Sequence, residues 1–285
     1  MTPTRVCILT LSAMTAFAGN SLLCRLALKQ TRIDAASFTL VRIVSGAIAL
    51  WLIVNLRKGT RRSAGTWSAA VALFVYAAAF SFAYLSLSAG IGALLLFSAV
   101  QVTMVGWGLW KGEQLRPQQW LGLTLALSGL VALLFPGLSA PPVLGSILML
   151  AAGIAWGIYS LRGQVDQEPI GATAGNFLRA VPLAGVLSIA LLPSIQLDSA
   201  GIGYAMLSGA IASGVGYAIW YTALPRLKAT SAAAVQLSVP VLAAAGGILF
   251  LGEPITLRFL IASIAIPGGI ALVVLEKRRA LVPVE

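Results

Sequence analysis

Gly112-Glu113-Gln-Leu-Arg-Pro117, followed by an apolar stretch to Gly129, returns later in the chain as Gly252-Glu253-Pro-Ile-Thr-Leu-Arg258, followed by an apolar stretch to Gly269. The Gly-Glu pair recurs at an offset of 140 residues, and in both places the helix glycine follows 17 positions on. Earlier in each half, Leu40-Val-Arg42 aligns with Phe177-Leu-Arg179 at an offset of 137, and Ala18-Gly19 with Trp156-Gly157 at 138. Offsets that drift by so little need only small loop differences, so the chain reads as an internal repeat with halves 1–138 and 139–285.

Outward from these pairs the sequence is apolar almost throughout. Of its 285 residues, 59% are hydrophobic and only 9% are charged, against roughly a quarter charged in an ordinary soluble domain. Cutting at charged or Pro/Gly-rich breaks gives segments at 6–28, 35–56, 66–88, 91–110, 118–136, 142–161, 171–193, 200–223, 230–251 and 257–275, each near the ~20 residues that span a bilayer. The links Ser88-Ala-Gly90 and Pro136-Gly-Leu-Ser-Ala-Pro-Pro142 read as tight hairpins, since fusing their neighbours would make helices of improbable length. The expected fold is an all-α integral membrane protein with ten transmembrane helices. Five spans per half is an odd number, so the second half enters the bilayer from the opposite side and the repeat is inverted, an arrangement found in transporters with a site at the repeat interface.

Loop charge agrees. With the amino terminus in the cytoplasm, thirteen Lys and Arg fall in cytoplasmic gaps, most densely at Arg57, Lys58, Arg61 and Arg62; four, Arg25, Lys29, Arg32 and Arg258, fall outside, and Arg42 and Arg179 lie within spans. That bias places both termini in the cytoplasm. The gap between spans seven and eight, which corresponds to the Arg57–Arg62 gap, has Asp198 and no base. Opposite loop bias in two related halves is what opposite orientation requires.

The net charge of +11 raises nucleic-acid binding as a reading. Most of the bases sit in short gaps between apolar runs, however, which is the pattern of membrane loops and not of a basic binding face. There is no histidine, which removes His acid/base catalysis, His metal ligation and His pH sensing. Cys7 and Cys24 are 17 positions apart in one expected helix, about 25 Å, too far to bridge. The apolar stretch after Arg5 runs to about Leu28, too long for a signal-peptide core, and is expected to be a retained first helix.

With the two five-helix halves, the Gly-Glu pairs before a glycine-bearing helix, and the Arg42/Arg179 pair in view, the chain resembles the drug/metabolite transporter superfamily, in its ten-helix EamA-type branch. Within that branch it is similar to the YddG-like exporters of aromatic amino acids. The resemblance implies helices arranged around a central cavity that opens by turns to either side, export of an amino acid, an inner-membrane location and no bound cofactor. The partners so implied are a small-molecule substrate and the lipid bilayer; the oligomeric state is left open, a monomer included.

All eight acidic residues lie at or beyond span ends, so no carboxylate is expected at midplane. The first span offers Asn20 and Ser21 where small multidrug exporters of the superfamily carry a membrane glutamate. Arg42 and Arg179 lie about eight residues from their helix starts, ~12 Å deep, within reach of snorkelling, and read either as helix anchors or as substrate contacts. The cavity is then expected to be neutral and to suit a zwitterion or neutral solute. In the Gly-Glu pairs, glycine is expected to cap one helix and the carboxylate to sit at the start of the next, with Pro117 and Pro254 in early helical positions.

The residues expected to bind substrate are polar and aromatic at helical spacing. Span three has Tyr76, Phe80 and Tyr84; span six has Trp156 and Tyr159; span eight has Tyr217, with Trp220 and Tyr221 on its face. Span one adds Asn20, span four Ser98 and Gln101, and span nine Gln236, Ser238 and a helix-bending Pro240. An aromatic wall with few hydrogen-bonding groups matches an amphipathic organic solute. The competing reading is interfacial Trp and Tyr with Ser and Gln bonding between helices. A membrane-embedded enzyme would need a catalytic constellation, and there is no His, no membrane carboxylate and no Gly-x-Ser-x-Gly. A channel or a scaffold remains compatible with the sequence.

Overall fold

The first four helices start where a capping side chain accepts from their free N–H groups. The computed structural model describes residues 2–57, 65–112, 114–135, 140–163, 168–224 and 235–279. Thr2 caps α1 (Pro3–Gln30), the Asp34 carboxylate accepts from Ala36 and Ser37 at the start of α2 (Ala35–Leu56), Thr66 caps α3 (Trp67–Tyr84), and Ser88 caps α4 (Ala89–Trp110). Pro117 occupies the first position of α5 (Pro117–Leu134), where its missing N–H costs no bond. The second half has α6 (Val143–Gly163), α7 (Pro169–Ala190), α8 (Ser199–Ala223), α9 (Ser238–Leu251) and α10 (Leu257–Arg279). Eight of these are long and apolar enough to cross a membrane; α9 and α10 have shorter apolar stretches, Ser238–Leu251 and Leu257–Leu272. No strand occurs among the described residues.

Several expectations are met and some are corrected. Gly112 and Gly252 take positive φ, 89° and 60°, and end α4 and α9, a conformation that glycine adopts without steric cost. Pro254, by contrast, lies in the extended link before α10 and not inside the helix, whose first turn is served by Thr256. Pro240 falls in the first turn of α9, after a break at Leu237, so it begins a helix there and does not bend one. The hairpin between α3 and α4 is made by residues 85–88, and Gly90 is already helical. Glu113, the 136–139 part of the second hairpin, which contains the 138/139 division, Lys58, Arg61, Arg62 and the start of the ninth span lie outside the described residues.

The neighbours of each helix follow a two-fold rule. α3 packs on α6 as α8 packs on α1; α4 packs on α6 as α9 packs on α1; α2 packs on α8 as α7 packs on α3; and α2–α7, α4–α9 and α5–α10 pair with their own counterparts. Exchanging the first five helices for the last five leaves this set unchanged. The outer surface is apolar, with Val71, Leu121, Val131, Ile147, Val186 and Phe250 all exposed, as lipid contact demands. Five exposed tryptophans, Trp51, Trp67, Trp107, Trp110 and Trp120, sit near helix ends on the side of the amino terminus, where interfacial aromatics belong. Trp156 and Trp220 instead turn into the bundle.

Candidate functional site

The row Tyr76, Phe80, Tyr84 on α3 forms the spine of the interior. Phe80 lies 5.5 Å from Tyr76 and 4.7 Å from Tyr84, centroid to centroid. From α6, Trp156 packs on Tyr76 at 4.9 Å and stacks with Tyr159 at 5.4 Å. From α8, Tyr217 meets Trp156 at 5.1 Å and, across the bundle, Phe17 of α1 at 5.7 Å. The α3–α6 contact and its α8–α1 counterpart are each made by an aromatic pair, Tyr76–Trp156 and Tyr217–Phe17, with Phe17 one position before Ala18, the sequence counterpart of Trp156.

A polar chain runs beside the rings. Ser208 donates to Asn20 Oδ1 at 2.6 Å, Asn20 Nδ2 donates to the Tyr76 hydroxyl at 3.2 Å, and Arg42 donates to the same hydroxyl at 3.0 Å. Arg42 also reaches Ser213 Oγ at 3.5 Å, and its guanidinium lies 4.8 Å from the centre of the Phe80 ring and 5.2 Å from that of Tyr76, close enough for cation–π attraction. Arg42 is 2% exposed. It does not snorkel; it projects into the bundle and makes the interior cationic, which corrects the expectation of a neutral cavity. Arg179, its sequence counterpart, is half-buried, bonds to the Gly175 carbonyl and lies over the Trp67 ring.

The local fold explains how α8 delivers two serines to this chain. Residues Leu207–Val215 form a π-helical segment, a widened turn often found at functional sites. It begins beside Asn20 and ends beside Arg42. Gly209 within it lies so close to α2 that a Cβ would overlap the Arg42 carbonyl oxygen and Ser45 Oγ. Sequence reasoning missed Ser208, Ser213, Phe17 and Phe177, whose ring lies 6.0 Å from that of Tyr217. Phe17 escaped because the repeat aligns Trp156 with Ala18, one position on, and the π segment has no local signature.

The remaining expected residues make bonds of their own, some at the edge of this cluster and some outside it. Tyr84 is fully buried and donates to the Ala89 carbonyl, bracing the α3–α4 hairpin. Tyr159 donates to Thr173 and accepts from Asn176. Ser98 donates to the Leu94 carbonyl of its own helix; with Gln101 it lines a separate apolar gap among α4, α5 and α10. Ser238 donates to the Val235 carbonyl and Gln236 is half-buried beside it. Asn20, Tyr76, Phe80, Trp156, Tyr159 and Tyr217 are thus brought together, whereas Ser98, Gln101, Gln236 and Ser238 are not in that cluster. No group of His, Cys, Asp and Glu among the described residues could hold a metal ion.

Glu253 overturns the local capping expectation. Its carboxylate accepts the Ala89 N–H at 2.8 and 3.1 Å and pairs with Arg25 Nε at 3.3 Å. It therefore caps α4, in the other half, while Arg25 covers the Tyr84 and Leu85 carbonyls at the end of α3.

Comparison with known proteins agrees with this architecture. The EamA-like transporter family matches residues 4–135 and again 143–275. An uncharacterized protein of Pseudomonas aeruginosa is 57% identical over 94% of both chains. The threonine/homoserine exporter RhtA of Escherichia coli K12 is 32% identical over 58% of this chain and 58% of its own, and a probable amino-acid metabolite efflux pump of the same strain is 29% identical over 63% and 66%. A protein of known crystal structure superposes with a TM-score of 0.70 at 19% identity, covering 98% of this chain and all of that one, a likeness of fold. The two family matches, the two-fold neighbour rule and the ten apolar helices lead to one conclusion: the chain is a multi-pass membrane protein that belongs to the EamA-like transporter family.

Proposed function

We propose that this transporter moves amino acids, aromatic or otherwise large and neutral, outward across the inner membrane by alternating access. The supporting observation is the convergence of Phe17, Tyr76, Trp156 and Tyr217, from both halves, on one hydrogen-bonded chain through Asn20 and Arg42. Such a lining suits a solute with an apolar body and a polar head. The named relatives support the amino-acid class and outward direction; the aromatic lining favours a larger side chain than theirs.

The rings touch one another, so substrate must part Trp156 from Tyr76 and Tyr217. Trp156 is the half-buried member, and rocking of the halves, taken as 1–138 and 139–285, would expose it to each side in turn. The loop-charge bias supports both termini in the cytoplasm. The internal pairing of Arg25 with Glu253 strengthens that orientation, because it removes one base from the outer loops.

Counterflow in proteoliposomes tests the reading. With labelled amino acids outside and unlabelled inside, phenylalanine, tryptophan and leucine are expected to accumulate transiently and saturably, above threonine. Threonine outrunning all three would remove the aromatic assignment, and no accumulation of any amino acid would remove the substrate class.

A further inference from the structure

Arg42 has work left to do. One terminal nitrogen, Nη2, is engaged by Tyr76 and Ser213; the other, Nη1, is buried and has no hydrogen-bond partner. The one ion pair among the described residues is Arg25–Glu253, so no described carboxylate balances the Arg42 charge. A guanidinium buried without an anion or a full set of acceptors is costly. It is held over the Tyr76 and Phe80 faces in the same cluster as the Trp156 ring.

We infer that Arg42 is the carboxylate anchor of the substrate site and that the site selects organic monocarboxylates, zwitterionic or anionic, by their carboxylate, with the amine contributing little. This deepens the proposed amino-acid reading and rests on it. An incoming carboxylate would take the free Nη1 donor and share Nη2, the geometry in which arginine is most selective. The rings of Trp156 and Tyr217 would receive the side chain. An α-ammonium has only neutral acceptors there, such as Asn20 Oδ1 and the tyrosine hydroxyls. A monocarboxylate without the amine therefore neutralises the site fully, whereas a zwitterion leaves one positive charge in it.

Competition against labelled L-phenylalanine and, separately, labelled 3-phenyllactate in counterflow reads this directly. Unlabelled 3-phenyllactate, which keeps the carboxylate and replaces the amine, is expected to compete within about threefold of phenylalanine. L-Phenylalaninamide, which keeps the amine and lacks the carboxylate, is expected to be at least about tenfold weaker, as loss of a charge-assisted pair dictates. An amide as effective as phenylalanine, or a phenyllactate about tenfold weaker than it, overturns the inference while leaving amino-acid transport intact. Exchange of phenyllactate but not phenylalanine has the opposite meaning: the amino-acid reading falls and the carboxylate anchor stands. Exchange of neither overturns both. Arg42→Gln, monodisperse and melting near wild type, is expected to bring acid and amide within about threefold of each other; a folded variant that keeps tenfold discrimination overturns the assignment. If that variant does not fold, the wild-type competition decides alone.

Discussion

Tyr76 is the residue on which the interior turns. Its hydroxyl receives Asn20 and Arg42 while its ring contacts Phe80 and Trp156, so one side chain joins α1, α2, α3 and α6. The four-residue spacing of Tyr76, Phe80 and Tyr84 made the stacked row legible, because helical periodicity fixes a shared face. The depth of Arg42 was not legible: an arginine eight residues into a helix reaches the interface as easily as the bundle interior, and only tertiary packing decides. At the start of α2, Asp34 is a second junction. Its Oδ1 accepts from Ala36 and Ser37, its Oδ2 accepts from Gln196 N, and its own N–H donates to Gln196 O, tying the α7–α8 link to the start of α2. Partial burial alone would raise this carboxyl, but hydrogen bonds from Ser37, Gln196 and Ala36 outweigh it and hold the group below its ordinary value. A depressed folded pKa adds stability above the unfolded value of about 4 and loses it as pH falls through the folded one. Asp34→Asn is therefore expected to lower the melting temperature in detergent at pH 7, and the gap to wild type is expected to shrink below pH 4. A gap that is constant down to pH 2 would contradict the role assigned to the charge.

At the scale of elements, Pro117 in the first turn of α5 was readable because that preference is local, whereas the caps at Thr2 and Ser88 lie before the span starts expected at 6 and 91. The role of Glu253 was not readable, because its partners are 164 and 228 positions away. Arg25 and Glu253 together close both ends of the α3–α4 hairpin from outside it, one on carbonyls and one on an N–H. The arrangement also limits α9: a Cβ at Gly247 would overlap the Glu253 carboxylate. Glu253→Ala strands the partly buried Arg25 and the Ala89 N–H, and is expected to cost about 3 kcal/mol. Arg25→Ala/Glu253→Ala is expected to cost clearly less than the two single changes added, in a double-mutant cycle read by thermal or denaturant unfolding. Strict additivity would show that the two groups do not act as a pair.

Taken as a whole, the molecule is a repeat whose symmetry is kept in its helix contacts and broken at its centre. The aromatic pairs across α3–α6 and α8–α1 preserve the two-fold relation, whereas Arg42 is buried and Arg179 is half-buried against Trp67. The repeat was visible in the Gly-Glu offset, and hydropathy gave the spans, since lipid imposes both length and apolarity. The break in symmetry was hidden, because aligned arginines look alike until their neighbours are known. A carrier needs a central site reachable from each side, and Ser208, fully buried against Asn20, reports on it. With Cys7 and Cys24 replaced by serine and a single cysteine installed by Ser208→Cys, a membrane-impermeant thiol reagent is expected to label right-side-out and inside-out vesicles alike, and saturating phenylalanine is expected to slow both reactions. Labelling from one side only, or from both with no protection by substrate, would contradict a substrate site at the seam that opens alternately to the two faces.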